Sequence, residues 1–156
     1  MNTTEKKLNA VIACLTAENM ADQERARQAL RELMTAPPAQ MDAESETRRV
    51  LLELGVPEHI KGHPRLVCAV CAVVEKPDFL NAITKELYTM IAETFHDKPS
   101  RVERSIRHAI ECAWDRCDLD VRMHYFGNTV SPVKCKPTNS EFIARVANEI
   151  RHRLAE

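Results

Sequence analysis

With 156 residues, three glycines and many Ala, Leu, Glu and Arg, the chain has room for one domain plus a short appendage, and its composition favours helix. Apolar residues at 44% and charged residues at 29% exclude a disordered or fibrous chain. The net charge of −1 excludes nucleic-acid binding through a global positive field, so any such site must be a local basic patch.

The expected fold class is all-α. Two short helices open the chain. Thr4–Ala17 places Leu8, Val11, Ile12 and Leu15 on one face, and Asp22–Met34 does the same with Ala26, Ala29, Leu30 and Leu33. They read as a helical hairpin over 1–36. Two prolines, Pro37 and Pro38, then break the pattern, and 37–42 is the expected linker. The remainder, 43–156, is expected to be one multi-helix domain. Its first helix runs Ala43–Leu54, with Gly55 placed as the C-terminal stop. Val56–Pro64 reads as an irregular or short-helical connection before a helix over Arg65–Glu75.

A helix over Phe79–Phe95 follows, with Ile83, Leu87, Met90, Ile91 and Phe95 at helical spacing, then a tight turn at His96–Pro99. A long helix covers Arg101–Arg116 and a short one Leu119–Phe126. Gly127–Pro137 is expected as loop and Asn139–Leu154 as the last helix. Ser100 with Glu103 and Thr138 with Glu141 both fit a capping box, in which hydroxyl and carboxylate satisfy the first free amides.

The stretch from Lys98 to Trp114 carries the chemistry. Val102, Ile106, Ala109, Ile110 and Ala113 share one face, and Arg101, Arg104, His108, Glu111 and Asp115 share the other. If the apolar face packs inward, Arg101 and Arg104 project from the leading turn. A recognition helix needs that layout, because its N-terminal residues enter the major groove while its back rests on the preceding helix. The arginine fork matches the O6 and N7 acceptors of guanine. Between 98 and 108, Lys98, Arg101, Arg104 and Arg107 oppose only Glu103. A solvated face of arginines paired with Glu103, Glu111 or Asp115 is the bland alternative.

These residues also carry a resemblance. Val56–His63, Ile83–Tyr88, Ser100–Trp114 and Lys136–Ala144 resemble the C-terminal DNA-binding domain of the sporulation stage-zero response regulators, in order over Arg48–Arg153. The resemblance implies a compact effector domain whose helices over 79–95 and 101–116 form a helix-turn-helix on double-stranded DNA. It further implies tandem boxes with a TGTCGAA-like core, often bound by a homodimer. By matching position, Arg101 and Arg104 would contact guanines and Glu103 a cytosine amino group, so that Glu103 has two candidate jobs, base contact and helix cap. Lys98, Ser100, Arg107, His108, Lys134 and Lys136 are the candidate phosphate contacts, which position a domain without reading sequence. Val121, Phe126 and Val130 fall in the region implied to touch an RNA polymerase sigma subunit, and core packing is the other reading of Phe126.

Three departures accompany the match. The residues ahead of it read as helices rather than an α/β receiver, so phosphorylation control within the chain is not expected. Ser105 replaces a usual alanine and is expected near the groove face. Cys112 and Cys117 are atypical.

The six cysteines, Cys14, Cys68, Cys71, Cys112, Cys117 and Cys135, are expected as free thiols. Cys68 and Cys71 form a C-x-x-C within an apolar run and have no second pair at ligand spacing, so buried helical cysteines fit better than zinc or redox chemistry. His108 and Cys112, four apart, lack a completed ligand set. Neither metal nor cofactor is expected, and no nucleophile–base pair marks an enzyme. The N-terminal hairpin could dock on a partner, making the chain an interaction module or decoy for a full-length regulator, or pack on its own effector domain. No apolar run is long enough to span a bilayer, Met1–Glu18 has no signal-peptide character, and a cytoplasmic location is expected.

Overall fold

The computed structural model describes residues 19–35 (backbone only at 32–35), 42–127 and 136–156, together with positions 9, 11, 12 and 16. These divide into two units, 1–40 and 41–156. Every regular element among the described residues is helical.

In the first unit, α1 runs Met20–Thr35. It begins two residues before the expected start because Asn19 caps it: the Asn19 side chain accepts from the Asp22 amide at 2.8 Å and donates to the Asp22 carboxylate at 2.6 Å. Of the earlier expected helix, Asn9, Val11, Ile12 and Thr16 have helical backbone, and the rest lies outside the described residues.

In the second unit, α2 (Ala43–Glu53) starts at Asp42, whose carboxylate accepts from the Ser45 amide at 2.6 Å. It ends as expected at Gly55, with φ of 78°. The Gly55 amide bonds the Leu52 carbonyl and the Val56 amide that of Leu51, the paired bonds of a Schellman stop. Helix α3 runs Gly62–Glu75, three residues longer at its start than expected, because Pro64 falls in the first turn, where no intrahelical amide is needed. It buries Leu66, Val67, Ala69, Val70 and Val73, and Cys68, Cys71, Ala72 and Val74 are partly covered. A helix apolar on most sides belongs at the centre. Accordingly α3 packs against α2, against α5 (Pro99–Arg116) and against α7 (Asn139–Ala155).

The expected continuous helix over 79–95 is a correction. Pro77–Asn81 forms a 3-10 turn, Ala82 breaks the backbone at φ −140° and ψ 45°, and Ile83–Leu87 makes a π turn leading into α4 (Tyr88–Thr94). The apolar spacing was real, since Leu87 and Ile91 are fully buried. Periodicity does not register a single non-helical residue.

Helix α6 covers Leu119–Phe126. The expected loop over 127–137 lies mostly outside the described residues. Thr138 and Glu141 form the expected capping box at the start of α7, with bonds of 3.1 and 2.8 Å. Arg153 near the end of α7 ties three helices together: it meets Glu46 at 3.3 Å and Glu149 at 3.0 Å and donates to the Tyr125 hydroxyl at 2.9 Å. Burial and a bond to Glu53 push the Tyr125 phenol up to about 12.

Candidate nucleic-acid interface

The helix-turn-helix consists of the π turn with α4, a turn over 95–98, and α5. The turn is another Schellman stop, with the His96 amide bonding the Glu93 carbonyl and the Asp97 amide that of Ala92. Here the left-handed position is filled by His96, at φ 52°, rather than glycine.

Helix α5 then begins at Pro99 as its first residue, with Lys98 as N-cap and no side-chain cap. The Ser100–Glu103 capping box expected from sequence does not form, because proline at the first position starts the helix before Ser100 can cap it. Ser100 lies inside the first turn, and Glu103 is exposed and relieved of the capping role.

The apolar back is buried as expected: Val102, Ile106, Ala109 and Ile110 are fully covered, and Ala113 and Trp114 nearly so. Opposite them Lys98, Ser100, Arg101, Glu103, Arg104 and His108 are exposed. Arg101, Arg104 and His108 follow one another at helical spacing along a single stripe. Among the described residues no ion pair engages Arg104. Arg101 is 71% exposed and lies 3.6 Å from Asp97.

The other candidate residues separate into two groups. Arg107 is half-buried and donates to the Pro137 carbonyl at 3.4 Å, holding the approach to α7. Lys136 pairs with Asp115 at 2.9 Å, and that bond raises its pKa above 10.5. Asp115 is fourteen residues beyond Arg101, about 21 Å along the axis at 1.5 Å per residue. Lys136 therefore sits beside the far half of α5, away from the leading turn. Lys134 and Val130 lie outside the described residues.

Phe126 is 3% exposed, with its ring 5.2 Å from that of Trp114 and 5.4 Å from that of Phe142. It belongs to the core, and Val121 packs partly against the same cluster. The exposed apolar residues of α6 are Leu119 and Met123.

Ser105 is a second correction. Its hydroxyl accepts from Arg65 at 3.0 Å and donates to the Val102 carbonyl at 2.8 Å, so it faces α3 rather than the groove side. Arg65, which sequence reasoning passed over, is 8% exposed and also donates to Asp97 at 2.6 Å and to the Arg101 carbonyl at 3.4 Å. The Lys98 amide, followed by Arg65, holds the Asp97 carboxyl below its ordinary 3.8. On the other side of α5, buried Asn139 donates to the Glu103 carbonyl at 3.2 Å and to the Tyr88 hydroxyl at 3.0 Å. No local sequence signal marks these contacts, which span 32 to 51 residues.

Among the described residues no group of three or more His, Cys, Asp or Glu could hold a metal ion. Cys68, Cys71, Cys112 and Cys117 are free thiols, and Cys14 and Cys135 lie outside the described residues. Cys68 and Cys71 are half-buried rather than buried, and burial pushes both thiols up, away from the thiolate that redox or metal chemistry uses. Cys112 Sγ lies 3.6 Å from His108 Nε2. No helix among the described residues is long and apolar enough to cross a membrane.

Residues 47–150, from within α2 through most of α7, match the family described as "Sporulation initiation factor Spo0A C terminal", the DNA-binding effector domain of a sporulation transcription regulator and not an enzyme family.

Proposed function

The chain belongs to the Spo0A C-terminal family, and from that membership we propose a sequence-specific regulator that reads TGTCGAA-like boxes in double-stranded DNA with the leading turns of α5. Arg101 and Arg104 contact guanines in the major groove and Glu103 accepts from a cytosine amino group. Lys98, Ser100, Arg107, His108, Lys134 and Lys136 contact phosphates. The single observation that supports this reading most is the pairing of a fully buried apolar back with two exposed guanidinium groups three residues apart on the first two turns.

Binding does not depend on phosphorylation of this chain, and two copies occupy tandem boxes. A sigma-subunit contact falls on the Val121–Val130 region, in which Met123 is exposed, as is Leu119 just before it, while Phe126 is buried. The effector unit, 43–156, carries the DNA affinity, and the segment 1–36 does not.

The test is a fluorescence titration of unmodified protein on a TGTCGAA duplex and a scrambled duplex across a salt series, since nonspecific affinity depends steeply on ionic strength. Arg101→Ala and Arg104→Ala should each cost about 1–3 kcal/mol and relax preference at one base pair. Equal binding of both variants and wild type at matched salt would end the base-reading assignment. Loss of cognate affinity on deleting 1–40 would overturn the assignment of binding to 43–156.

A further inference from the structure

The reading side chain Arg101 does not stand alone. Asp97, in the turn, divides its carboxylate between two tasks. One oxygen accepts from buried Arg65 at 2.6 Å, while the other accepts from the Lys98 amide at 2.8 Å and lies 3.6 Å from Arg101 Nη1. Arg65 in turn donates to the main-chain carbonyl of Arg101 and to Ser105, one turn further along. A chain of contacts thus runs from the core helix α3, through Asp97, to the side chain proposed to read a guanine.

Resting on that base-reading role, we infer that Asp97 is a specificity-determining positioning residue, held by Arg65, that orients the Arg101 guanidinium for a base edge and discourages it from settling on phosphate. Guanidinium is a planar fork with donors on more than one edge, so a carboxylate on one edge leaves another pointing outward. Among the described residues no other acceptor engages that guanidinium. An exposed arginine otherwise samples many rotamers and meets any nearby phosphate equally well. A fixed negative charge beside it weakens a nonspecific contact, whose energy is charge alone. It costs a bidentate contact with O6 and N7 less, because geometry supplies part of that energy.

Asp97 itself is placed well for the task. Its side chain is 18% exposed, against 71% for Arg101, so the anchor is packed against the protein and the reader faces solvent. At 3.6 Å on the solvent side, the Asp97–Arg101 pair is weak enough for DNA to compete with it.

The test measures base discrimination, taken as the ratio of Kd for a duplex with one G·C pair replaced to Kd for the intact TGTCGAA duplex. The full chain is used as wild type, Arg101→Ala, Arg104→Ala and Asp97→Asn, with thermal melts of each. The Arg101→Ala and Arg104→Ala variants identify the pair each arginine reads. Asp97→Asn should lower discrimination at the Arg101 pair about 3- to 5-fold, the upper part of what a solvent-side ion pair supplies. Discrimination at the Arg104 pair should stay within about twofold, affinity for scrambled duplex should rise, and Asp97→Asn added to Arg101→Ala should lower discrimination no further. Because Asp97→Asn leaves the buried Arg65 charge without a carboxylate, the double variant Arg65→Met with Asp97→Asn removes both charges and keeps the measurement possible if the single variant unfolds.

Full discrimination in both Asp97 variants, or equal loss at the two arginine pairs, overturns the inference while Arg101→Ala still loses its base. If Arg101→Ala loses no discrimination at all, the base-reading role fails, and this inference with it.

Discussion

Gly62→Ala is the sharpest test of how α5 is held. Gly62 is the first residue of α3 and lies against the middle of α5. A Cβ built there would fall 2.1 Å from the Ser105 carbonyl oxygen, 2.9 Å from its carbon and 2.8 Å from the Ala109 Cβ. Carbon and oxygen atoms approach comfortably only to about 3.3 Å, so the two backbones must part by roughly 1 Å. Two of the three obstructing atoms are main chain, and no rotamer change relieves them.

Overpacking of this kind costs about 3 kcal/mol at the upper end of its usual range. Alanine's better helix propensity offsets at most about 1 kcal/mol, and less in a first turn. The net loss is about 2 kcal/mol. For a unit of this size that lowers Tm by roughly 8 °C in a thermal melt followed by circular dichroism. Ala109→Gly added to Gly62→Ala should recover little, because the carbonyl contact is the shorter one. Displacing Ser105 also disturbs the turn that carries Arg101 and Arg104, so cognate DNA affinity should fall with Tm. An unchanged or raised Tm would refute the reasoning outright, since propensity would then have outweighed the contact.

Three further outcomes follow from the same structure. His96→Gly should stabilise the protein by about 0.5 kcal/mol, the removal of left-handed strain less the added freedom of the unfolded chain, whereas Gly55→Ala at the matching position of α2 should destabilise it by about 1 kcal/mol. Urea midpoints of the two variants check both signs, and a destabilised His96→Gly contradicts the account. His63 is 2% exposed with no partner for Nε2 among the described residues, and burial, with Arg48 nearby, holds its pKa below the ordinary 6.5. The unfolded chain takes up that proton first, so His63's contribution to stability is complete above about pH 6.5 and declines as pH falls through the range below it. His63→Phe should flatten the difference in melting temperature between pH 7.5 and pH 5, and a variant with the whole wild-type slope would assign it elsewhere.

What was legible in the sequence was whatever is decided by neighbours three or four residues apart. The buried back of α5, the exposed stripe of Arg101, Arg104 and His108, the Gly55 stop and the Thr138 capping box all belong to that class. The stop at His96 has the same hydrogen bonds as the one at Gly55, yet no glycine announces it. Ser100 and Glu103 offered a cap signal, and Pro99 supplied a competing start one residue earlier. Ser105 was assigned to the groove because helical angle alone cannot see that Arg65, forty residues away, claims its hydroxyl. Gly62 has no unusual φ, and its necessity comes only from the carbonyl it meets on another helix.

These long-range contacts share a target. Gly62 and Arg65 approach α5 from α3 at Arg101, Ser105 and Ala109, while Asn139 donates to the Glu103 carbonyl and Arg107 to that of Pro137, tying α5 to the start of α7. The turns carrying the proposed reading side chains are therefore clamped from two sides by main-chain contacts, and the helix has little room to shift as a body. Whatever adaptability the interface retains must lie in side-chain rotamers and in the Asp97–Arg101 pair. Substitutions in the core at Gly62 should for that reason change cognate and scrambled affinity together, whereas those at Arg101, Arg104 or Asp97, or at Arg65, which holds Asp97, should change their ratio.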